Sequence, residues 1–326
     1  MSKLVTIYGG SGFVGRYIAQ RMAKQGWRVR VACRRPNEAM HVKPYGVVGQ
    51  VEPVFCNIRD DDSVRVAMHG ADAVVNCVGT FDAKGRNNFE SVQVDGAERI
   101  ARLAADEGIG RLVHISAIGA DEGSHSDYSR TKAEGEAAIL QHCPDAVILR
   151  PSVVFGPEDQ FFNRFATMAL LTPVLPVIGA DTKFQPVYVD DLAQAAVKGI
   201  LGQAGSGVYE IGGPEVATLR ELMGVMLTTI QRRRLVANMP FAVARIMAGL
   251  FSLGSSMTGG LVKAPVTPDQ VRSLRVDNVV SEGARTLADL GIEATSVEAV
   301  VPEYLWRFRP SGQYAAIKNS AKNLKA

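Results

Sequence analysis

Three glycines spaced three residues apart follow a short apolar run near the start of the chain. The run is KLVTIY, and the glycines of GGSGFVG are Gly9, Gly12 and Gly15. Between a strand and an amphipathic helix, such glycines permit a tight turn, a close approach of a pyrophosphate, and close packing of the helix on the strand. The alternative is a turn that binds nothing. We predict a dinucleotide site whose first contacts also include Gly10, Ser11, Phe13, Val14 and Arg16.

The end of the second predicted strand indicates which dinucleotide would bind. An acidic side chain there would accept hydrogen bonds from the ribose 2′-hydroxyl of NAD. This chain instead reads ACRRP, with Arg34 and Arg35, and Arg16 follows the third glycine. Guanidinium groups bind phosphate through two parallel hydrogen bonds, so the pattern favours NADP(H). The alternative is a solvated pair of surface arginines.

Further cofactor contacts are predicted where the next two strands end. Asn57 and Ile58 follow the third strand, at the place of an adenine ring, and Val78 and Gly79 follow the fourth, along the ribose and pyrophosphate. Ligands of such sheets bind at the carboxyl edge, although each position is also compatible with ordinary packing.

A tyrosine and a lysine four residues apart could supply acid–base chemistry. Tyr128 and Lys132 lie in DYSRTK, on a helix predicted near residues 127–141, and residues four apart share one helix face. A nearby ammonium lowers the pKa of a phenol, which makes it a usable acid near neutral pH.

These residues need a sheet to bring them together. Apolar runs at KLVTIY, WRVRVAC, VEPVFCNI, ADAVVNCVG, GRLVHIS and DAVILRP alternate with helical periodicity. This order predicts an α/β fold with a Rossmann-type, doubly wound parallel sheet. We expect an NADP(H)-binding core over residues 1–155 and a smaller C-terminal α/β lobe over 156–310, of which about 185–205 return to the core. A flexible basic tail is expected over 311–326.

Composition excludes several classes of protein. The chain has 326 residues, is 47% hydrophobic, and has a formal charge of +3, too small to indicate nucleic-acid binding. Its four cysteines form no CxxC motif, which argues against disulfides and against a metal site. We expect no signal peptide, and no apolar run reaches the roughly 18 residues of a spanning helix.

Positive charge is concentrated late in the chain. Residues 231–275 carry seven Lys and Arg against one acid, Asp269, and their apolar stretch is interrupted by Pro240 and Arg245. Such a segment can bury one face in a partner or in the lipid interface, here over residues 232–257. The alternative is a core helix of the smaller lobe.

The chain resembles the short-chain dehydrogenase/reductase superfamily, of the extended or atypical kind. The similar motifs are, in order, GGSGFVG, CNIRDDDSV, VDGAERI, RLVHIS, YSRTK, LRPSVVFGPED, PVYVDDLAQA and YEIGGPE. The resemblance implies that Ser116, Tyr128, Lys132, Pro151 and Val154 join the cofactor site. Active members carry a Ser or Thr just past the fifth strand. Because Ser116 is followed by Ala117 here, no catalytic residue is assigned, and Tyr128 and Lys132 are candidates if the protein is active.

The last third combines a basic, Met-rich segment, RRRLVANMPFAVARIMAGLFSLGSSM, with the stretch TPDQVRSLRVDNVVSEGARTLADLGIEATSVEAVVPEYLWRFRPSGQY, and FFNRF and QPVYVDDLA lie upstream. This combination resembles one branch, the NADPH-binding accessory subunits of respiratory complex I in a bacterial form, and is also similar to relatives labelled NAD-dependent epimerases. That resemblance implies a tightly held NADPH, little turnover, and a stabilising role among the other subunits where the peripheral and membrane arms meet. It implies a peripheral position on the cytoplasmic face of the bacterial inner membrane. Two alternatives stay open: an active NADPH-dependent reductase or epimerase, and an NADPH-sensing regulatory protein.

Overall fold

The computed structural model describes residues 2–81, 85–257 and 267–314, without the side chains of 250, 252–257 and 313. The strands are β1 (Leu4–Tyr8), β2 (Arg28–Cys33), β3 (Val51–Phe55), β4 (Ala73–Asn76), β5 (Leu112–Ile115), β6 (Val147–Pro151), β7 (Val154–Phe155), β8 (Val174–Ile178), β9 (Lys183–Phe184), β10 (Val187–Tyr188), β11 (Gly207–Ile211), β12 (Ala217–Thr218) and β13 (Leu235–Met239). The helices are α1 (Phe13–Lys24), α2 (Asp61–Met68), α3 (Asp95–Asp106), α4 (Asp127–His142), α5 (Phe162–Leu171), α6 (Val189–Leu201), α7 (Leu219–Thr229), α8 (Phe241–Met257), α9 (Pro268–Ser273) and α10 (Val297–Leu305).

Seven of these strands form one parallel sheet, in the order β11, β6, β5, β4, β1, β2, β3. The predicted doubly wound sheet is therefore confirmed. The order reverses between β1 and β4, because the chain first extends the sheet through β2 and β3 and then crosses to the other side of β1. In sheets of this kind, ligands bind in the crevice at that reversal, beyond the carboxyl ends of the strands.

Helices cover both faces of the sheet, which explains the continuous apolar strands. All residues of β1, β4 and β5 are buried. On one face, α2, α3 and α4 pack on the sheet through a cluster that includes Tyr8, Met68, Ile100 and Ile139. On the other face α1 packs against α6, and Arg21 of α1 donates to Asp190 of α6 at 2.6 Å from Nε to Oδ1. Every strand of the sheet except the edge strands β11 and β3 pairs on both sides, so the buried backbone N–H and C=O groups have hydrogen-bond partners.

The chain divides into two units. The first consists of Met1–Ser152, Val189–Gly212 and Val280–Ala294, and it contains the large sheet. The second consists of Val153–Tyr188, Gly213–Val279 and Thr295–Ala326. Its strands pair two by two, β7 with β10, β9 with β12 and β8 with β13, around a core that includes Phe155, Phe162, Leu175, Met223 and Val301.

Two predictions concern the end of the chain and the membrane. Most of the tail predicted over 311–326 lies outside the described residues, since the description ends at Tyr314. In the described part of the chain, no helix has the length and apolarity needed to cross a bilayer. The same part contains no group of His, Cys, Asp and Glu side chains arranged as metal ligands, and its cysteines form no disulfide.

Candidate functional site

The glycine turn lies at the reversal of strand order, between the ends of β1 and β4. Gly9 adopts a φ of 74°, in the left-handed region that favours glycine. Its N–H donates to the Ala32 carbonyl of β2 at 2.9 Å, and a Cβ at Gly9 would lie 3.1 Å from the Cys77 carbonyl that follows β4. The backbone is thus pressed between two strands, and a side chain at this position would be strained.

Close packing of α1 on this turn depends on Gly15. A Cβ there would lie 2.5 Å from the Gly9 oxygen and 2.6 Å from the Gly10 Cα, which is closer than real Cβ atoms approach. Gly12 is the N-cap of α1 and has no side chain to accept a capping hydrogen bond. The first turn of α1 contains no acidic residue. The first-turn N–H groups of Phe13, Val14 and Gly15 therefore have no intrahelical acceptor, and the helix dipole adds positive potential. This cradle is chemically suited to a pyrophosphate.

Three arginines surround the turn, but they differ in their partners. Arg16 folds over it, with Nε 3.2 Å from the Gly12 oxygen and Nη2 3.3 Å from the Ser11 oxygen. Arg34 is exposed and makes no hydrogen bond or ion pair with any residue that the structure describes. Arg35 pairs with Glu38 at 3.0 Å, so an acid competes for this guanidinium. Both side chains are about three-quarters exposed, so that ion pair is weak.

The residues predicted after β3 and β4 reach the same carboxyl edge. The Asn57 Oδ1 accepts from the Arg59 N–H at 3.3 Å, and Ile58 packs against α3, where a Cβ at Gly96 would lie 2.9 Å from its Cδ1. After β4, the Val78 N–H donates to Asn76 Oδ1 at 3.0 Å. Asn76 is buried, and it was not among the predicted site residues although it fixes the turn that carries two of them.

Lys132 is buried on α4 beside this edge. Its Nζ donates to the Ile115 carbonyl at 3.0 Å, and a Cβ at Gly79 would lie 3.7 Å from that Nζ. Burial lowers the pKa of Lys132 to about 8, against the opposing effect of the Glu136 carboxylate. The predicted neighbours Gly79 and Lys132 are thus brought together.

Tyr128 differs from the expectation. Its ring stacks on Phe81, with centroids 4.9 Å apart and planes 18° apart, and it meets the edge of Phe89 at 6.1 Å. Burial raises the pKa of Tyr128, whereas the four-residue spacing had predicted a lowering by Lys132. The physical reason is that desolvation acts on the phenol, while the Lys132 ammonium is directed to the Ile115 carbonyl.

The Ser116 hydroxyl is hydrogen-bonded to another side chain of the first unit. It donates to the carboxylate of Glu136, one turn after Lys132 on α4. Arg150 of β6 holds the same carboxylate, with Nη2 2.6 Å from Oε2 and Nε 3.0 Å from Oε1. Glu136 and Arg150 were missed by sequence reasoning, although Tyr128, Lys132 and Glu136 recur at the four-residue spacing of one helix face.

Pro151 and Val154 fall in different units. Pro151 ends β6 in the first unit, and its carbonyl accepts from the Ile118 N–H at 2.9 Å. Val154 belongs to the second unit, where β7 pairs with β10 and Val154 lies opposite Val187.

One further titratable group lies in this region and was not predicted. His114 of β5 is 2% exposed, between Asn76 of β4 and Ile148 of β6. Neither of its ring nitrogens has a hydrogen-bond partner among the described residues. Burial, reinforced by the nearby charge of Lys132, lowers the pKa of His114 well below its ordinary value. The histidine is therefore neutral in the folded protein at physiological pH.

The fold and this edge define the class of the protein. The chain belongs to the NAD dependent epimerase/dehydratase family, whose sequence model matches residues 5–212. The expected membership in the extended short-chain dehydrogenase/reductases is thereby confirmed. Among solved structures, the fold is similar to that of Thermus thermophilus UDP-glucose 4-epimerase in complex with NAD. The TM-score is 0.67 and the identity 18%, over 94% of this chain and 99% of that one.

More particular similarity is found with two mitochondrial proteins. The chain is 34% identical to the NADH dehydrogenase [ubiquinone] 1 alpha subcomplex subunit 9 of Arabidopsis thaliana, over 95% of this chain and 79% of the relative. It is 30% identical to the NADH-ubiquinone oxidoreductase 40 kDa subunit of Neurospora crassa, over 95% of this chain and 80% of the relative. Both alignments extend through the second unit.

The buried His114 leads to a prediction about acid stability. Because its pKa is lowered in the folded state, the unfolded chain takes up a proton first as the pH falls. Stability is therefore lost as the pH falls through about 6.5, by up to about 1.4 kcal/mol per pH unit, until the folded state is also protonated. In His114→Leu this part of the pH dependence of the unfolding free energy, measured by urea denaturation, should disappear. The exposed His125→Gln should keep the wild-type dependence, and an unchanged slope in His114→Leu would contradict the assignment.

The stacked Phe81 leads to a second prediction. In Phe81→Ala, water reaches the Tyr128 ring, so the pKa of Tyr128 should fall toward the ordinary tyrosine value. The measurement is an NMR titration of ¹³C-labelled tyrosine, with the Tyr128 signal identified from Tyr128→Phe. Phe55→Ala, at a similarly exposed phenylalanine of the edge strand β3, is the control. The same titration midpoint in Phe81→Ala and the wild type would show that Phe81 does not shield Tyr128.

Proposed function

We propose that this protein is an NADPH-binding accessory subunit of respiratory complex I that holds its cofactor with little or no turnover. The observation that carries the proposal is the reach of the similarity to two subunits of NADH dehydrogenase. It covers 95% of the chain, well past the residues that form the glycine turn. Membership of the epimerase/dehydratase family alone would account for sequence similarity over residues 5–212, which the family model matches.

The residues of the glycine turn fit a dinucleotide. Backbone lies so close to Gly9, Gly12 and Gly15 that α1 begins directly at the turn, and its first-turn N–H groups are suited to the pyrophosphate. Arg34 and Arg16, with Arg35 when it leaves Glu38, would bind the 2′-phosphate that distinguishes NADPH from NADH. Asn57 and Ile58 would border the adenine, and Val78, Gly79, Lys132 and Tyr128 the ribose and nicotinamide end. When bound, NADPH supplies a hydride donor.

The internal partners of the polar groups support the absence of turnover. Tyr128 stacks on Phe81, meets Phe89 edge-on and has a raised pKa, so it is a poor proton donor at neutral pH. The Ser116 hydroxyl, which would polarise a carbonyl in an active relative, donates to Glu136 instead. Lys132 would hold the ribose without taking part in a reaction.

We further propose where the subunit acts. It would lie peripherally on the cytoplasmic face of the bacterial inner membrane, the equivalent of the mitochondrial matrix side. There it would stabilise the junction of the peripheral and membrane arms through contacts with other complex I subunits. Residues 232–257, with their concentration of arginine and apolar side chains, would contact the lipid interface there.

A native gel tests this assignment. Membranes solubilised in mild detergent should show the chain migrating with NADH dehydrogenase activity, and deletion of its gene should reduce the assembled complex. Recovery of the chain only as a free monomer, with assembly unchanged after deletion, would overturn the proposal.

Cofactor choice can be tested separately. Replacing Arg34 and Arg35 by alanine removes the guanidinium groups proposed for the 2′-phosphate, so NADPH affinity should fall by about tenfold or more while NADH affinity stays the same. Isothermal titration calorimetry measures both. Arg28→Ala, at the opposite end of the same strand, is the matched control. Equal binding of both cofactors before and after the double substitution would show that these arginines do not choose NADPH.

A further inference from the structure

One face of the second unit is apolar and open to solvent. Strands β8 and β13 pair in parallel, with Leu235 opposite Val174 and Ala237 opposite Pro176. The alternate residues of β8, Leu175 and Val177, are buried in the core. The opposite face therefore consists of Val174, Pro176, Leu235 and Ala237, which we term the apolar ribbon. Leu235 is 66% exposed.

Helix α8 follows the apolar ribbon and exposes some of its larger apolar side chains. The last pair of the two strands, Ile178 and Met239, packs against the small side chains Ala244 and Ala248 of α8. Two larger residues, Val243 and Ile246, are 46% and 65% exposed, whereas Phe241 packs against the buried alanines. A helix on the surface of a soluble protein normally buries its large apolar residues and exposes polar ones. Here the apolar side chains of Val243 and Ile246 are exposed instead.

The other end of the apolar ribbon meets two exposed leucines. Leu170 and Leu171 end α5, and Leu171 is 81% exposed. They are held beside the start of β13, because Arg234 donates from Nε to the Ala169 carbonyl at 2.8 Å and the Leu235 N–H donates to Pro173. Leucines, ribbon and α8 together form a surface that we call the apolar face.

The charged residues of the segment that carries β13 and α8 are all basic. Arg232, Arg233 and Arg234 precede β13, Arg245 lies on α8, and the sequence contains no acidic residue from 232 to 268. Arg232 and Arg234 are anchored by their Nε atoms to the backbone carbonyls of Phe308 and Ala169. Arg233 and Arg245 are exposed. Fixed and exposed guanidinium groups beside apolar side chains match the phosphates and acyl chains of a lipid interface.

We propose that the apolar face docks the protein on the surface of an anionic phospholipid membrane. The leucines, Val174 and the outward side of α8 would enter the boundary between headgroups and acyl chains, and the arginines would bind the phosphates. A partner protein would have to present both an apolar patch and several acids, whereas an anionic bilayer offers both everywhere. The inference rests on the proposed function for the presence of a membrane, but the contact itself needs no other subunit.

Vesicle flotation with the purified full-length chain tests the proposal. The chain should float with vesicles that contain phosphatidylglycerol and phosphatidylcholine, should float poorly with phosphatidylcholine alone, and should be released as salt is raised. Arg233→Gln with Arg245→Gln, two exposed residues, should weaken binding by about tenfold or more. The double variant Leu171→Ser with Leu235→Ser removes two apolar side chains from the proposed interface, and it should no longer float with the vesicles.

The matched control changes apolar residues elsewhere. Val47→Ser with Val48→Ser alters an exposed apolar tip of the first unit and should leave flotation unchanged. Thermal unfolding followed by circular dichroism checks that the leucine variant is folded; if it is not, the arginine variant and the salt dependence decide.

Three results would overturn the inference. They are no flotation of the wild type, equal flotation with neutral vesicles, and full flotation of folded leucine and arginine variants. A wild type that joins solubilised complex I but ignores vesicles would assign the apolar face to a protein partner. Because the native-gel experiment does not use vesicles, failure here leaves the assignment to complex I standing, and failure there leaves the lipid contact standing.

Discussion

The first unit depends on a contact between two pieces of backbone. Helix α1 approaches the turn after β1 so closely that any side chain at Gly15 would overlap the Gly9 carbonyl, and Gly9 itself is pressed against the end of β4. This contact places the positive end of α1 at the reversal of strand order, where the carboxyl ends of β1 and β4 diverge. The position of the anion cradle, the depth of α1 on the sheet and the path of the β4 turn with Val78 and Gly79 all follow from it.

Most of the large sheet could be predicted from the sequence, because local patterns reveal both the type and the burial of its elements. The apolar runs of β1, β4 and β5 required cover on both faces of the sheet. The neighbours of β11 could not be predicted. Its residues lie more than fifty positions after β6, and periodicity marks a strand without saying which strand it pairs with. Strand pairing over such a distance is decided by tertiary packing.

The site could be predicted in its backbone and less well in its side chains. The glycines, Asn57, Ile58 and Gly79 lie at the carboxyl edge as the motifs indicated, because strand ends fix their position, and α4 places Lys132 beside them. The predicted lowering of the Tyr128 pKa was wrong. Phe81 stacks on Tyr128 from 47 positions earlier in the chain, and no helical spacing reveals that contact. The Glu136–Arg150 pair and the unpartnered His114 were missed for the same reason: their environment is made by neighbouring strands and by α4.

Ser116, Lys132 and the Glu136–Arg150 pair at this edge are hydrogen-bonded within the protein, and this has a thermodynamic consequence for a bound cofactor. A buried ion pair such as Glu136–Arg150 contributes little net stability, but it fixes α4 against β6. Lys132, directed to the Ile115 carbonyl, is held at the same place whether or not anything reacts there. A ligand that binds only the folded chain stabilises it by mass action, by about 2.7 kcal/mol when it is present at one hundred times its Kd. A dinucleotide held in this cradle would therefore keep the unit folded without being consumed, and the advantage of binding it would be stability.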